Sequence, residues 1–177
     1  MERYKGNWNS VNTHTVPKWY EDCKFGIFIH WGIYSVPAFA PHTWELGEVD
    51  SKEWFADNPY AEWYYNSLNI GKGPTYEHHM EKYGKDFKYE DFIPMWKAEN
   101  WDPKQWAEIF KEAGAEYVVL TTKHHDGFCL FPSKYTHFNS VEMGPKRNIT
   151  GELTEAVRDA GIRMGLYYSG LIDWQYA

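Results

Sequence analysis

Three short apolar runs punctuate an otherwise polar chain: KFGIFIHWG at residues 24–32, EYVVLTT at 116–122 and IRMGLYYS at 162–169. Each is rich in β-branched or aromatic residues and bounded by glycine or turn-forming residues, so each predicts a strand. The first two are apolar almost throughout, as strands buried on both faces are. Between and around them the spacing turns helical. Asp102 as N-cap, Pro103 at the first helical position, Trp106, Ala107, Ile109, Phe110 and Ala113 on one face and Gly114 as the stop predict one helix. Residues 150–160, with Leu153, Ala156 and Val157 facing inward and Gly161 at the end, predict another. Further helices are expected from Tyr60 to Leu68, with Asn58-Pro59 as N-cap and first turn, from Thr75 to Tyr83, and from Tyr89 to Glu99 despite Pro94. Residues 34–58 read as a long ordered loop, and residues 1–19 as an arm packed on the domain.

The resulting order is strand, long helical insertion, strand, helix, strand. Such alternation calls for parallel strands covered by helices, in a doubly wound sheet or a β/α barrel. In a barrel, chemistry gathers at the carboxyl ends of the strands. Here His30, His124-His125 and Tyr167-Tyr168-Ser169 hold those positions, which favours the barrel. Eight β/α units take about 250 residues. The expectation is therefore an α/β fold that is the amino-terminal portion of a (β/α)8 (TIM) barrel, incomplete in this chain.

Composition narrows the function. The chain has 177 residues and a net charge of −7 with no basic cluster, which argues against nucleic acid. No apolar stretch approaches the roughly 20 residues of a membrane-spanning helix, and the first twenty residues lack the apolar core of a signal peptide. These features set the expectation of a cytoplasmic protein with no membrane partner. Cys23 and Cys129 have no metal-site or disulfide-framework spacing and read as free thiols. Aromatic residues make up 19% of the chain. Flat rings with polar edges suit a pocket for a ligand that is apolar on one side and hydroxylated on its rim, although a large aromatic core would leave the same composition.

Among polar residues, His30 ends an apolar strand, where an imidazole can donate to or accept from a ligand hydroxyl. His124 and His125 would point to opposite faces of a continuing strand, but the bend at Asp126-Gly127 can turn both toward one pocket. Glu62 beside Trp63 offers a carboxylate for hydroxyls next to an indole for stacking. No metal-ligand spacing is present, so no metal or other cofactor is expected, and His78-His79 reads as surface or core. Asp126 reads as turn chemistry and Asp173-Trp174 as a loop or cap. Glycoside hydrolysis needs two carboxyl groups, about 5 to 5.5 Å apart for retention. No complete catalytic pair is evident. Glu62 is the one candidate, an auxiliary acid.

Four motifs, KFGIFIHWGIYSVP at 24–37, NPYAEWY at 58–64, YVVLTTKHHDGF at 117–128 and RMGLYYSG at 163–170, resemble in order and spacing the amino-terminal part of the α-L-fucosidases of glycoside hydrolase family twenty-nine. The resemblance implies a retaining exo-glycosidase acting on terminal α-L-fucose of a glycoside or oligosaccharide, on a β/α barrel usually followed by a β-sandwich. It also implies that His30, Glu62, Trp63, His124, His125 and Tyr167 hold the sugar, with Phe28 and Tyr60 as weaker wall positions. In that family the nucleophilic Asp ends strand four and the acid/base carboxylate follows, both beyond residue 177. The expectation is a fragment or subunit, inactive alone, whose carboxyl-terminal barrel half is a second chain or is absent through a reading-frame interruption or a truncation, with the β-sandwich absent here. The alternative is a non-catalytic fucose-binding or interaction module.

Overall fold

The structure is a computed structural model and describes residues 4–42, 48, 50 and 53–176. Residues 43–47, 49, 51 and 52 of the expected 34–58 loop lie outside the described residues. Three parallel strands, β1 (Gly26–Ile29), β2 (Tyr117–Lys123) and β3 (Arg163–Tyr168), stand side by side in the order β1-β2-β3. Gly26 pairs with Tyr117 and Tyr117 with Arg163, which aligns the carboxyl ends of all three strands at one rim. At Gly26 a Cβ would lie 2.1 Å from the Tyr117 ring, so the close approach of the ring requires glycine there.

Short helices α1 (Trp8–Val11) and α2 (Lys18–Asp22) precede the sheet. The insertion between β1 and β2 supplies α3 (Tyr64–Ile70), α4 (Pro74–Lys82) and α5 (Pro103–Glu112), and α6 (Ile149–Asp159) joins β2 to β3. Asp102 Oδ1 accepts from the backbone N–H groups of Lys104 and Gln105 at the start of α5, and Asn148 Oδ1 accepts from that of Gly151 at the start of α6. Both helices cover one face of the sheet, where Val118, Leu120, Ile149, Leu153 and Val157 are fully buried in a single core with Ala107, Phe92 and Ile33. The result is an α/β fold built on a small parallel sheet. Among the described residues, no helix is long and apolar enough to cross a membrane.

Several expectations are corrected. β1 spans only four residues and is not buried on both faces: Ile27 and Ile29 pack against the core, while Phe28 on the opposite face is 55% exposed. Helices cover that strand from one side only, so an apolar run here reflects two faces with different neighbours. Asn58-Pro59 does not start a helix. Asn58 Oδ1 instead accepts from Tyr60 N–H, residues Ala61–Trp63 form a 3-10 turn, and α3 begins at Tyr64. The Tyr89–Glu99 segment is a 3-10 helix ending at Met95, in keeping with Pro94, whose ring blocks an α-helical interior. On α5, Ile109 is 53% exposed although its spacing matches the buried face. The other predicted helices lie within a residue of their expected bounds, and Cys23 and Cys129 are free thiols.

Candidate functional site

The residues singled out by sequence come from four separate elements and meet at the carboxyl rim of the sheet. His30 follows β1. Glu62 and Trp63 occupy the 3-10 turn that leads into α3, His124 and His125 follow β2, and Tyr167 lies in β3. His30 Nδ1 stands 3.3 Å from Glu62 Oε1. The His30 ring lies 4.9 Å from that of Phe28 and 5.5 Å from that of His124, and Tyr167 lies 5.7 Å from Phe28 and 6.4 Å from His124, all between centroids. His125 is 4.2 Å from His124 and 5.4 Å from Trp63. Tyr60 is the exception: it is 39% exposed and, among the described residues, shares no ring contact with this cluster.

A slip in strand pairing explains how adjacent histidines serve one site. Thr121 pairs with Tyr167 but Lys123 with Tyr168, leaving Thr122 as an extra residue in β2. Such a bulge shifts the alternation of side chains by one position. Lys123 consequently lies over the Tyr168 ring, while His124 returns to the face of Tyr167 and His30.

Burial sets the charge of the site. Burial penalises a charged Glu62, yet the His30 hydrogen bond, a backbone hydrogen bond and the His30 and His124 rings outweigh it and hold its carboxyl below the ordinary value. Burial, followed by the charge of its neighbour His125, pushes His124 down to about 3, so its ring is neutral near pH 7. His125 is lowered as well, by burial and then by Lys123. The site thus presents one carboxylate acceptor and two neutral imidazoles. This arrangement fits a ring of hydroxyl groups flanked by an apolar face.

Further residues lie beside the cluster. Trp174 packs 5.3 Å from Trp63 and 5.3 Å from His125. Asp126 is fully buried, where Tyr89 Oη donates to it at 2.8 Å and Phe128 N–H at 3.2 Å. Burial lifts its carboxyl to about 6 in spite of those donors. Asp126 therefore does form the expected turn, but it also anchors the helical insertion through Tyr89. His79 is a core residue: its Nε2 donates to Phe87 O, and Tyr64 Oη donates to its Nδ1. A concavity of about 760 Å³, lined mainly by apolar groups that include Trp19, Phe28, Tyr117 and Val119, lies on the same sheet but does not reach the histidines.

Three potential metal-ligand atoms, one each from His30, Glu62 and His124, lie within 4.8 Å of one another. Sequence spacing gave no sign of this trio because each member sits on a different element.

The sequence profile described as Alpha-L-fucosidase matches residues 1–177. The chain belongs to the alpha-L-fucosidase family. It is 42% identical over 177 residues to the alpha-L-fucosidase of Dictyostelium discoideum, covering 98% of this chain and 35% of that protein. It is 41% identical over 175 residues to the tissue alpha-L-fucosidase of Homo sapiens, covering 97% of this chain and 33% of that one. The crystal structure of the Thermotoga maritima alpha-fucosidase in complex with fucose superposes with a TM-score of 0.87 at 57% identity, over 98% of this chain and 39% of that chain. The chain therefore spans about a third of the length of these curated fucosidases.

Sequence reasoning gave two residues of the fucosidase rim too small a place. The sequence reading gives Asp173-Trp174 a loop or capping role and does not single out Lys123. The signal available for Trp174 was its position a few residues beyond the end of β3, where barrel chemistry gathers. For Lys123 nothing in the sequence announces burial, since lysine is almost always exposed.

Proposed function

We propose that this chain is the amino-terminal part of a fucosidase β/α barrel and supplies its α-L-fucose pocket. The convergence of His30, Glu62 and His124 beside an aromatic wall carries the reading. His30, His124, His125 and Glu62 take the sugar hydroxyls, the Trp63 indole and Tyr167 flank its ring, and Phe28 offers an apolar surface for the 6-methyl group. Tyr60 remains a peripheral wall residue. The sequential parallel order of the strands and the exposed apolar residues Phe28, Leu166 and Leu171 support a barrel that further β/α units complete.

Hydrolysis by retaining double displacement belongs to that completed barrel. Among the described residues near the cluster, Glu62 is engaged with His30, Asp126 with Tyr89 and Asp173 with Lys123. Retention needs a nucleophile and an acid/base carboxyl about 5 to 5.5 Å apart, a pair that the further β/α units bring to the pocket. The 177 residues bind a terminal fucosyl group but do not cleave it. The further β/α units of the barrel supply the nucleophile and cover the apolar side of the sheet. Positioning and covalent catalysis are separate contributions, so the first persists without the second.

The test is calorimetric titration of the chain with L-fucose, followed by co-expression with a carboxyl-terminal fucosidase half and assay on a chromogenic α-L-fucoside. Binding by the chain alone, with turnover only in the co-expressed pair, is expected. Turnover by the 177 residues alone overturns the assignment of a nucleophile elsewhere, and absence of fucose binding overturns the pocket. The ligand-atom trio favours a second reading, a metal-assisted hydrolase. Elemental analysis without stoichiometric zinc, iron or manganese removes it.

A further inference from the structure

Lys123 is 4% exposed and holds three partners at once. Its Nζ donates to Asp173 Oδ2 at 2.9 Å and to Ser169 O at 2.9 Å, and lies 5.2 Å from the centre of the Tyr168 ring. Two of these partners belong to the segment after β3, which returns over the histidines. Ser169 N–H donates to Lys123 O, and Trp174 N–H donates to His125 O at 2.8 Å. Asp173 closes the turn by accepting from Gln175 N–H.

The same segment fixes the ring of His125. Ser169 Oγ lies 2.6 Å from His125 Nδ1 and 3.1 Å from Ile172 O. A carbonyl can only accept, so the serine proton goes to Ile172 O and the imidazole Nδ1–H donates to Oγ. His125 is thereby held as the Nδ1–H tautomer with Nε2 as an acceptor, while Trp174 packs against both Trp63 and His125.

We propose that Lys123 and Asp173 form a positioning clamp that holds segment 169–175 over the site, fixing the tautomer and orientation of His125 and the edge of Trp174 for binding of the sugar. The clamp acts through Ser169 and Trp174 and touches no reacting atom. It rests on the fucose-pocket reading for its effect on affinity, but its effect on His125 stands independently of that reading. A buried lysine is costly unless paired, so once formed the pair admits few alternative arrangements of the segment.

The experiment uses the whole 177-residue chain. Nitrogen-15 NMR of the histidine rings reports the tautomer of His125, and calorimetry reports L-fucose affinity, for the wild type, Lys123→Met, Asp173→Asn and their double variant. Wild-type His125 is expected to carry its proton on Nδ1. Either single variant mixes the tautomers and weakens fucose binding about tenfold, and the double variant is no worse than the poorer single one. Asp173→Asn preserves shape and one hydrogen bond, and serves where Lys123→Met does not fold. An unchanged His125 tautomer in folded Asp173→Asn, or affinity within twofold of wild type, overturns the clamp. If the wild type binds no fucose, the pocket reading falls while the tautomer comparison still decides the clamp.

Discussion

His30 Nδ1 and Glu62 Oε1 lie 3.3 Å apart although 32 positions separate them in the chain, and they join the rim of β1 to the start of α3. This contact holds the glutamate ionised and aims both residues into one cluster with His124. His30→Ala and Glu62→Gln are each expected to weaken L-fucose binding roughly ten- to hundredfold, from the 1.5–3 kcal/mol of about one hydrogen bond to a charged group. Their double variant should lose less than the sum of the two, because the pair acts together. Calorimetric titration of the four proteins measures the coupling, and strict additivity would show that the two residues serve different sites.

His124 and Asp126 act on acid stability in opposite directions. The His124 value falls from 6.5 to about 3 on folding, so its contribution is present above pH 6.5 and is lost as pH falls toward 3. At about 1.4 kcal/mol per unit, that loss is about 3 kcal/mol between pH 7 and pH 4. Asp126 rises from 3.8 to about 6, so its contribution is present below 3.8 and is lost as pH rises through 6. It recovers about 2 kcal/mol over the same interval. Urea unfolding at pH 4 and pH 7 should show a flatter dependence for His124→Asn than for wild type, and a steeper acid loss for Asp126→Asn. Parallel pH profiles for all three proteins would refute the assigned burial of both groups.

Gly127 combines a φ of +84° with a close neighbour: a Cβ there would lie 2.7 Å from Asp173 Oδ1. Gly84 has nearly the same φ, +85°, with nothing within 4 Å of its Cβ position. Gly84→Ala should therefore cost only the left-handed backbone penalty of about 1–2 kcal/mol, whereas Gly127→Ala adds the collision with the segment after β3. Thermal melts compare them. Equal losses would mean that Asp173 yields freely.

The face of α5 and α6 that meets the sheet is tested by contrast. Leu153 is fully buried, and Leu153→Ala should cost about 2–5 kcal/mol. Ile109 is 53% exposed, and Ile109→Ala should cost under about 0.5 kcal/mol. Denaturant midpoints distinguish the two, and a large loss at Ile109 would mean that further protein packs on that side of α5.

Much of the framework was readable from local pattern. The three strands, α5 with its Asp102 cap and α6 with its Gly161 stop depend on side-chain periodicity and capping, which act within a few residues of chain. His30, Glu62, Trp63, the histidine pair and Tyr167 were legible because each chemistry-bearing side chain stands near the end of an apolar run or beside an aromatic. The two-sided burial of β1 and the helix start at Asn58 were not, since an apolar residue does not name its neighbour, and Asn58 can either cap a helix or brace the turn before one.

The sequence by itself determined an α/β order with polar residues at strand ends and the family to which the chain belongs. Only the tertiary structure decided which of those residues share a site. The bulge at Thr122 turned His124 inward and Lys123 under the segment after β3, and that segment laid Trp174 against Trp63. Strand register and the path of a returning loop depend on contacts between elements distant in the chain, and local periodicity carries no information about them.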